Sequence, residues 1–295
     1  MQQIRVKKGG SGWGYGVIGV MIFSGSLPAT RLAVGDFDPC FLTVARAAIA
    51  GLVALLLLCL FPQPRPAKRQ VLSLLVVALG VVVGFPLLTA MALKYITAGH
   101  SIVFIGLLPL ATACFGVLRG GDKPAAGFWW CALCGSGLVS GYAFTQPQSG
   151  ALQGDLLMLG AIVLCGAGYA EGGRLTRTLG GWQVISWALV LALPVMLLLC
   201  LWMTPPVLSR ISVGGWLALG YVSLFSMLIG FIFWYQGLAL GGIAAVGQLQ
   251  LLQPLFGFAL AAMLLDEPVS PGMISIGIGV VLCVAGSRYF ARRVK

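Results

Sequence analysis

Apolar residues run in long blocks separated by short polar punctuation, ten times between residues 13 and 290. The blocks are 13–34, 37–60, 70–92, 96–118, 125–145, 152–172, 182–203, 213–236, 243–265 and 271–290. Each is close to the roughly 20 residues that carry a helix across the hydrocarbon core of a bilayer. Lipid offers backbone groups no partner, so spanning segments are helices or closed barrels, and a barrel would show alternating segments of about 10 residues instead. The pattern predicts an all-α integral membrane protein with ten transmembrane helices. The second block holds Asp38 and Arg46, but its core from Ala47 to Phe61 is strongly apolar and keeps it among the spans. Arg5, Lys7 and Lys8 look like the charged start of a signal peptide. Nine further blocks follow and no clear cleavage site stands out, so the first block reads as an uncleaved helix.

Connections are short. The longest polar ones are Pro62–Gln70, Gln146–Ala151 and Gly173–Gly181, too small for a soluble domain. Composition agrees: hydrophobic residues make up 59% and charged residues 8%, far too little charge for a water-facing surface. With ten spans, 14 of the Lys and Arg residues fall on the side of the termini and 4 on the other, which puts both termini in the cytoplasm. The net charge of +11 is then a topology signal spread over short loops, and no nucleic acid is expected as a partner. Trp13, Trp129, Trp130, Trp182, Trp202, Trp216 and Trp234 lie near span ends, as interfacial anchors do, and Trp187 lies further in.

A shift of 145 residues lays the fourth and fifth spans on the ninth and tenth. Leu107, Pro109, Leu110, Gly127 and Gly141 then meet Leu252, Pro254, Leu255, Gly272 and Gly286, and Asp122 meets Glu267. Each half, 1–147 and 148–295, holds five spans. An odd number makes the second copy enter from the opposite side, a five-plus-five inverted repeat, with a substrate site between the halves near the midplane.

The first-span run from Trp13-Gly14 to Phe23-Ser24-Gly25-Ser26, the segment from Asp38-Pro39 to Ala45-Arg46-Ala47, and the turns Gly121-Asp122 and Asp266-Glu267-Pro268 resemble the drug/metabolite transporter superfamily, EamA-type members in particular. The resemblance covers essentially the whole chain. The family's usual glycine–glutamate turn is Gly-Asp in the first half and Asp-Glu in the second. Among its members the chain looks most like the YddG-type aromatic amino acid exporters. The resemblance implies export by alternating access across the inner membrane, and a central cavity lined by spans one, three, four, six, eight and nine. It also places an arginine at Arg46.

Candidate chemistry is that of binding rather than catalysis. No cluster of catalytic side chains is present, so no enzyme activity, metal or cofactor is expected. Gly9-Gly10-Ser11-Gly12 lacks the lysine of a phosphate loop. Cys131 and Cys134 sit in an apolar helix without a second pair, and all eight cysteines read as small packing residues. The acidic residues lie at or near span ends. A buried coupling carboxylate is therefore missing from mid-span, which favours facilitated diffusion of a neutral or zwitterionic solute over proton-driven exchange. His100 remains a possible proton carrier. Glu171, in the last turn of span six, reads as an inner-surface charge near Arg174. Arg46 reads as structural, snorkelling outward or pairing with Asp36 or Asp38, since span two is not expected to line the cavity.

The expected partner is a small molecule within membrane lipid, an amino acid by preference; the alternatives are another small metabolite, such as a nucleobase or sugar derivative, or a membrane protein that transports nothing. Gln248, Gln250 and Gln253 flank Pro254, and their amides suit a carboxylate and an ammonium; helix–helix hydrogen bonding accounts for them equally well. Ser24, Ser26, Met91, Tyr95, His100, Phe104, Tyr169, Phe231 and Trp234 complete the cavity candidates. Pro28, Pro86, Pro109 and Pro254 remove helix hydrogen bonds and are candidate hinges. Gly80/Gly84, Gly137/Gly141 and Gly168/Gly172 form small faces on which helices can approach closely.

Overall fold

A computed structural model of the chain describes residues 11–96, 101, 104–144, 152–203, 211–253, 255–256 and 271–292, and every regular element among them is helical. Six runs are long and apolar enough to cross a membrane: Gly12–Asp36, Pro39–Leu60, Lys68–Ala92, Leu152–Leu179, Gly181–Trp202 and Val213–Gly241. The other expected blocks carry the helices Leu108–Gly120, Ala126–Phe144, Ile243–Leu252 and Pro271–Arg292. His100, Pro254, Asp266 and Glu267 lie outside the described residues.

The first run is broken into α1 (Ser11–Ser24) and α2 (Ser26–Asp36). Pro28 cannot donate to the carbonyl four residues before it, and the break falls at Gly25. Tyr221 donates its hydroxyl to the Ile22 carbonyl at 2.6 Å, giving a backbone group beside the break the partner that lipid would not. Helix α3 (Pro39–Leu60) starts on Asp38, whose carboxylate accepts from the amides of Cys40 at 2.8 Å and Phe41 at 3.4 Å, with Pro39 at a position that needs no amide. The third run is α4 (Lys68–Val77), a π-helical stretch Ala78–Gly84, and α5 (Phe85–Ala92). Then come α6 (Leu108–Gly120), α7 (Ala126–Phe144), α8 (Leu152–Leu179) and α9 (Gly181–Trp202). The eighth run is α10 (Val213–Gly220), a second π-helical stretch Tyr221–Ile229, and α11 (Gly230–Gly241). Helix α12 (Ile243–Gly247) continues as a 3-10 turn, Gln248–Leu252, and α13 (Pro271–Arg292) closes the chain.

One expectation is corrected. Gly173–Gly181 is not a polar connection, because α8 runs on through Leu179. Its glycines let it, since Gly173 lies against Leu238 and Ile243 and Gly172 against the ring of Tyr235. The connection shrinks to Gly180, whose φ of +98° is open to glycine and strained for other residues. Gly242, at φ +92°, makes the equally short turn from α11 to α12.

Helix pairs organise the bundle: α1 along α11, α3 along α9, α7 along α13, α6 along α8 and α12, and the first π stretch with α5 along α8. Lipid tails are as apolar as leucine, so such pairs are held by close packing. A Cβ added to Gly80 would sit 2.6 Å from the Leu164 carbonyl oxygen and 2.9 Å from the Gly168 Cα, and one on Gly12 would sit 2.6 Å from the Gly241 amide nitrogen. Gly137 and Gly141 instead face open space. The backbone contacts join α1 to α11 and the third run to α8.

The two ends of the bundle differ. At one, the Asp38 carboxylate meets Lys94 Nζ at 3.1 Å, and Asp36 accepts from the Ser212 amide at 3.1 Å. At the other, Glu171 is 1% exposed and held by Arg119 at 3.1 Å and by Arg174, which also donates to Ser73 at 3.1 Å. Asp122 accepts from the Ala244 amide at 2.7 Å and meets Arg177 at 3.4 Å, so the first acidic turn caps the start of α12. Glu171 is thus buried rather than a surface charge, and it ties α4, α6 and α8 together.

Candidate functional site

Between these ends lies a cavity with about 40 Å³ open to water-sized atoms, room for about three waters. Its polar edge is Ser26 and Thr30 from α2, Arg46 from α3, Thr89 from α5, Ser226 from the second π stretch and Gln253. Its apolar wall includes Phe23, Val81, Phe85, Leu108, Tyr169 and Phe231. Spans one, three, four, six, eight and nine all contribute, and so does span two.

The aromatic wall is a cluster of packed rings. Phe23 packs on Phe231 with ring centres 5.0 Å apart and on Trp234 at 6.2 Å, and Tyr169 packs on Trp234 at 5.4 Å and on Phe231 at 5.8 Å. These tilted arrangements suit ring quadrupoles. One turn further along α11, Tyr235 donates to the Gly168 carbonyl at 3.3 Å. Trp234 is fully buried in this cluster, so it is not an interfacial anchor, whereas Trp130 and Trp202 are exposed as anchors would be.

Arg46 overturns an expectation. It does not snorkel, nor does it pair with Asp36 or Asp38, which are engaged by Ser212 and by Lys94. It is 7% exposed and points inward, where Nη2 donates to Ser226 Oγ at 3.3 Å and Nε has no partner. Ser226 Oγ in turn shares a hydrogen bond of 2.7 Å with Ser26 Oγ. Arg46 stands two turns into α3, among the buried Leu42, Val44 and Ala47 of the same helix. Thr89 Oγ1 is a second buried polar atom on the cavity without a partner.

The sequence candidates divide by position. Tyr169, Gln253 and Pro86 line the cavity, and Trp234 backs it. Gln253 donates to the Phe23 carbonyl at 3.4 Å. Gln248 and Gln250 are fully buried off the cavity; Gln248 reaches the Pro109 carbonyl at 3.5 Å, and neither amide atom of Gln250 has a partner. Ser24 donates back to the Val20 carbonyl at 2.7 Å. Met91 and Tyr95 border a separate shallow cleft beside Asp38 and Lys94, and the Tyr95 hydroxyl accepts from Gln153 at 3.3 Å. Phe104 is buried away from the cavity, and His100 lies outside the described residues. Pro28 adjoins the break at Gly25, Pro86 follows the first π stretch, and Pro109 starts α6. The residues missed were Phe23, Thr30, Thr89, Ser226 and Arg46 as a lining residue. Phe23, Ser26, Leu27 and Thr30 follow helical spacing, a face visible in retrospect.

A multi-pass helical membrane protein with a polar-edged cavity lined from seven of its helical segments has the build of a transporter. The chain belongs to the EamA-like transporter family, whose model matches residues 10–139 and 152–290. It is 62% identical over 282 residues to the uncharacterized transporter YdeK of Bacillus subtilis (strain 168), covering 96% of this chain and 98% of that one. It is 26% identical over 233 residues to the uncharacterized transporter YyaM of the same organism, covering 75% and 76%. A solved crystal structure shares the fold with a TM-score of 0.77 at 19% identity, covering 97% of this chain and 99% of its own.

Proposed function

We propose that the protein exports amino acids with apolar or aromatic side chains from the cytoplasm, by alternating access without ATP, as a facilitator in the manner of the YddG-type exporters it resembles. The carrying observation is the cavity itself, where a buried guanidinium and hydroxyls face an aromatic wall of Phe23, Tyr169 and Phe231. The first set suits the charged groups of an amino acid and the second its side chain.

The architecture we read is ten helices in two inverted halves, 1–147 and 148–295, with both termini cytoplasmic in the cell's inner membrane. Two features support it. Shifted by 145 residues, the π stretch Ala78–Gly84 falls on 223–229, inside the π stretch Tyr221–Ile229. The pairing of α1 with α11 has its counterpart in that of α8 with the third run. Both π stretches border the cavity, through Val81 and Ser226. Such segments hold a helix away from regular geometry and often mark functional sites, and here they serve as paired hinges.

The test is counterflow in proteoliposomes preloaded with single unlabelled amino acids or nucleobases, with labelled phenylalanine outside and no pH gradient. Apolar amino acids should drive accumulation. Accumulation with none of them, in vesicles holding folded protein, rejects the amino acid reading, and a strict need for an imposed pH gradient rejects the facilitator.

A further inference from the structure

A guanidinium carries five N–H donors and no acceptor. Of these, Arg46 spends one on Ser226 at 3.3 Å, a long bond for a charged donor, and Nε has no partner. Among the described residues no carboxylate is seen on it: Asp36, Asp38, Asp122 and Glu171 are taken up at the two ends of the bundle, and Asp155 lies in the first turn of α8. A charge at membrane depth costs about 2.5–3.5 kcal/mol on insertion scales and is retained mainly for function. Among the described residues Arg46 makes no ion pair that would hold helices together.

We infer that Arg46, steadied by Ser226 and Ser26, is a carboxylate-binding subsite, so that the transported solute is an organic acid anion or zwitterion docked by its carboxylate. The inference deepens the proposed function and rests on its premise that the central cavity is the transport site. A planar fork with free donors matches a carboxylate in the two-bond geometry that arginine favours. A phosphate dianion would call for further positive charge, and among the described residues no other Lys or Arg lines the cavity. Amines lacking an acid group would bring a second positive charge beside the first and be rejected. The apolar remainder of the solute meets Phe23, Phe231 and Tyr169. With about 40 Å³ open, the cavity must widen to take such a solute, and the carboxylate supplies the partner that Arg46 lacks when it does.

The experiment is thermal melting of the purified full chain in detergent with four compounds of one shape: L-phenylalanine, 3-phenylpropionate, phenethylamine and 3-phenylpropanol. Near saturation the two carboxylates should raise the melting temperature by about 2–4 °C and the amine and alcohol should not. Arg46→Gln should abolish the shift, Arg46→Lys should keep part of it, and Ser226→Ala should weaken it. If Arg46→Gln fails to fold, the discrimination by the wild-type chain and the two milder variants decide. A shift with 3-phenylpropionate but not with L-phenylalanine supports the subsite and removes amino acids as substrates. Equal shifts with phenethylamine, or carboxylate shifts that survive Arg46→Gln, overturn the subsite and leave amino acid transport standing. No shift with any compound overturns it as well.

Discussion

Two buried charges sit at different depths of this bundle. Glu171, near one end, is saturated, with Arg119 and Arg174 on its carboxylate and Ser73 behind Arg174. Arg46, in the cavity, has one serine and an idle Nε. The backbone around them differs in the same sense. On the Glu171 side α8 runs unbroken, with Gly172 against the ring of Tyr235 and Gly173 against Leu238 and Ile243; two of the helical runs that border the Arg46 cavity are interrupted by π stretches. Saturated charge and close packing mark the part of the molecule that holds its helices together. Unsatisfied charge and irregular helix mark the part that receives something.

Changes that test the comparison rank by expected effect. The largest is Gly80→Leu. Its Cβ would collide with the Leu164 carbonyl, a backbone atom that cannot swing away, and overpacking of this kind costs about 3 kcal/mol. Gly137→Leu, which meets nothing within 4 Å, should leave the melting temperature in detergent where it was. Equal losses in the two variants would mean that the glycine contact is not what joins α8 to the third run. Next is Glu171→Gln, which leaves two arginines facing a neutral amide; we expect a loss of about 1–3 kcal/mol, read as a lower melting temperature. An unchanged melting curve would remove the contrast with Arg46.

Smaller effects fall in the cavity and the cleft. Thr89→Val keeps shape and removes a hydroxyl that has no partner, so stability should move by less than about 1 kcal/mol while half-saturation for transport rises a few-fold. A stability loss with transport intact would make Thr89 a structural residue. The smallest is Tyr95→Phe, which removes an exposed contact with Gln153 beside the separate cleft and should stay within about 0.5 kcal/mol with transport unchanged. A clear fall in transport would move the site from the central cavity to that cleft.

Much of the helix layout was legible along the chain, because a spanning helix must be apolar for its whole length. The ends of Pro39–Leu60 and Gly181–Trp202 fall within two residues of the expected blocks. Where the reading failed, as at Gly173–Gly181, it had taken glycines for a turn when they were the surface on which Tyr235, Leu238 and Ile243 pack. The site was legible only in part. Tyr169, Trp234 and Gln253 stood out as polar or aromatic residues in apolar runs. Gln248 and Gln250 stood out equally, yet they face neighbouring helices, and residue type alone does not tell a cavity from an interface. Along the chain Arg46 reads as snorkelling or as pairing with Asp36 or Asp38, whereas its partner Ser226 lies 180 residues away. Serines and threonines in long apolar blocks carry no pattern that would have revealed that pairing.

The most direct measurement is an experimental structure of the protein with L-phenylalanine bound. The account predicts density for one molecule in the widened central cavity, its carboxylate on Arg46 and its ring among Phe23, Tyr169 and Phe231. Density at the cleft beside Met91 and Tyr95 instead, or a ligand in the cavity with its carboxylate turned away from Arg46, would contradict it.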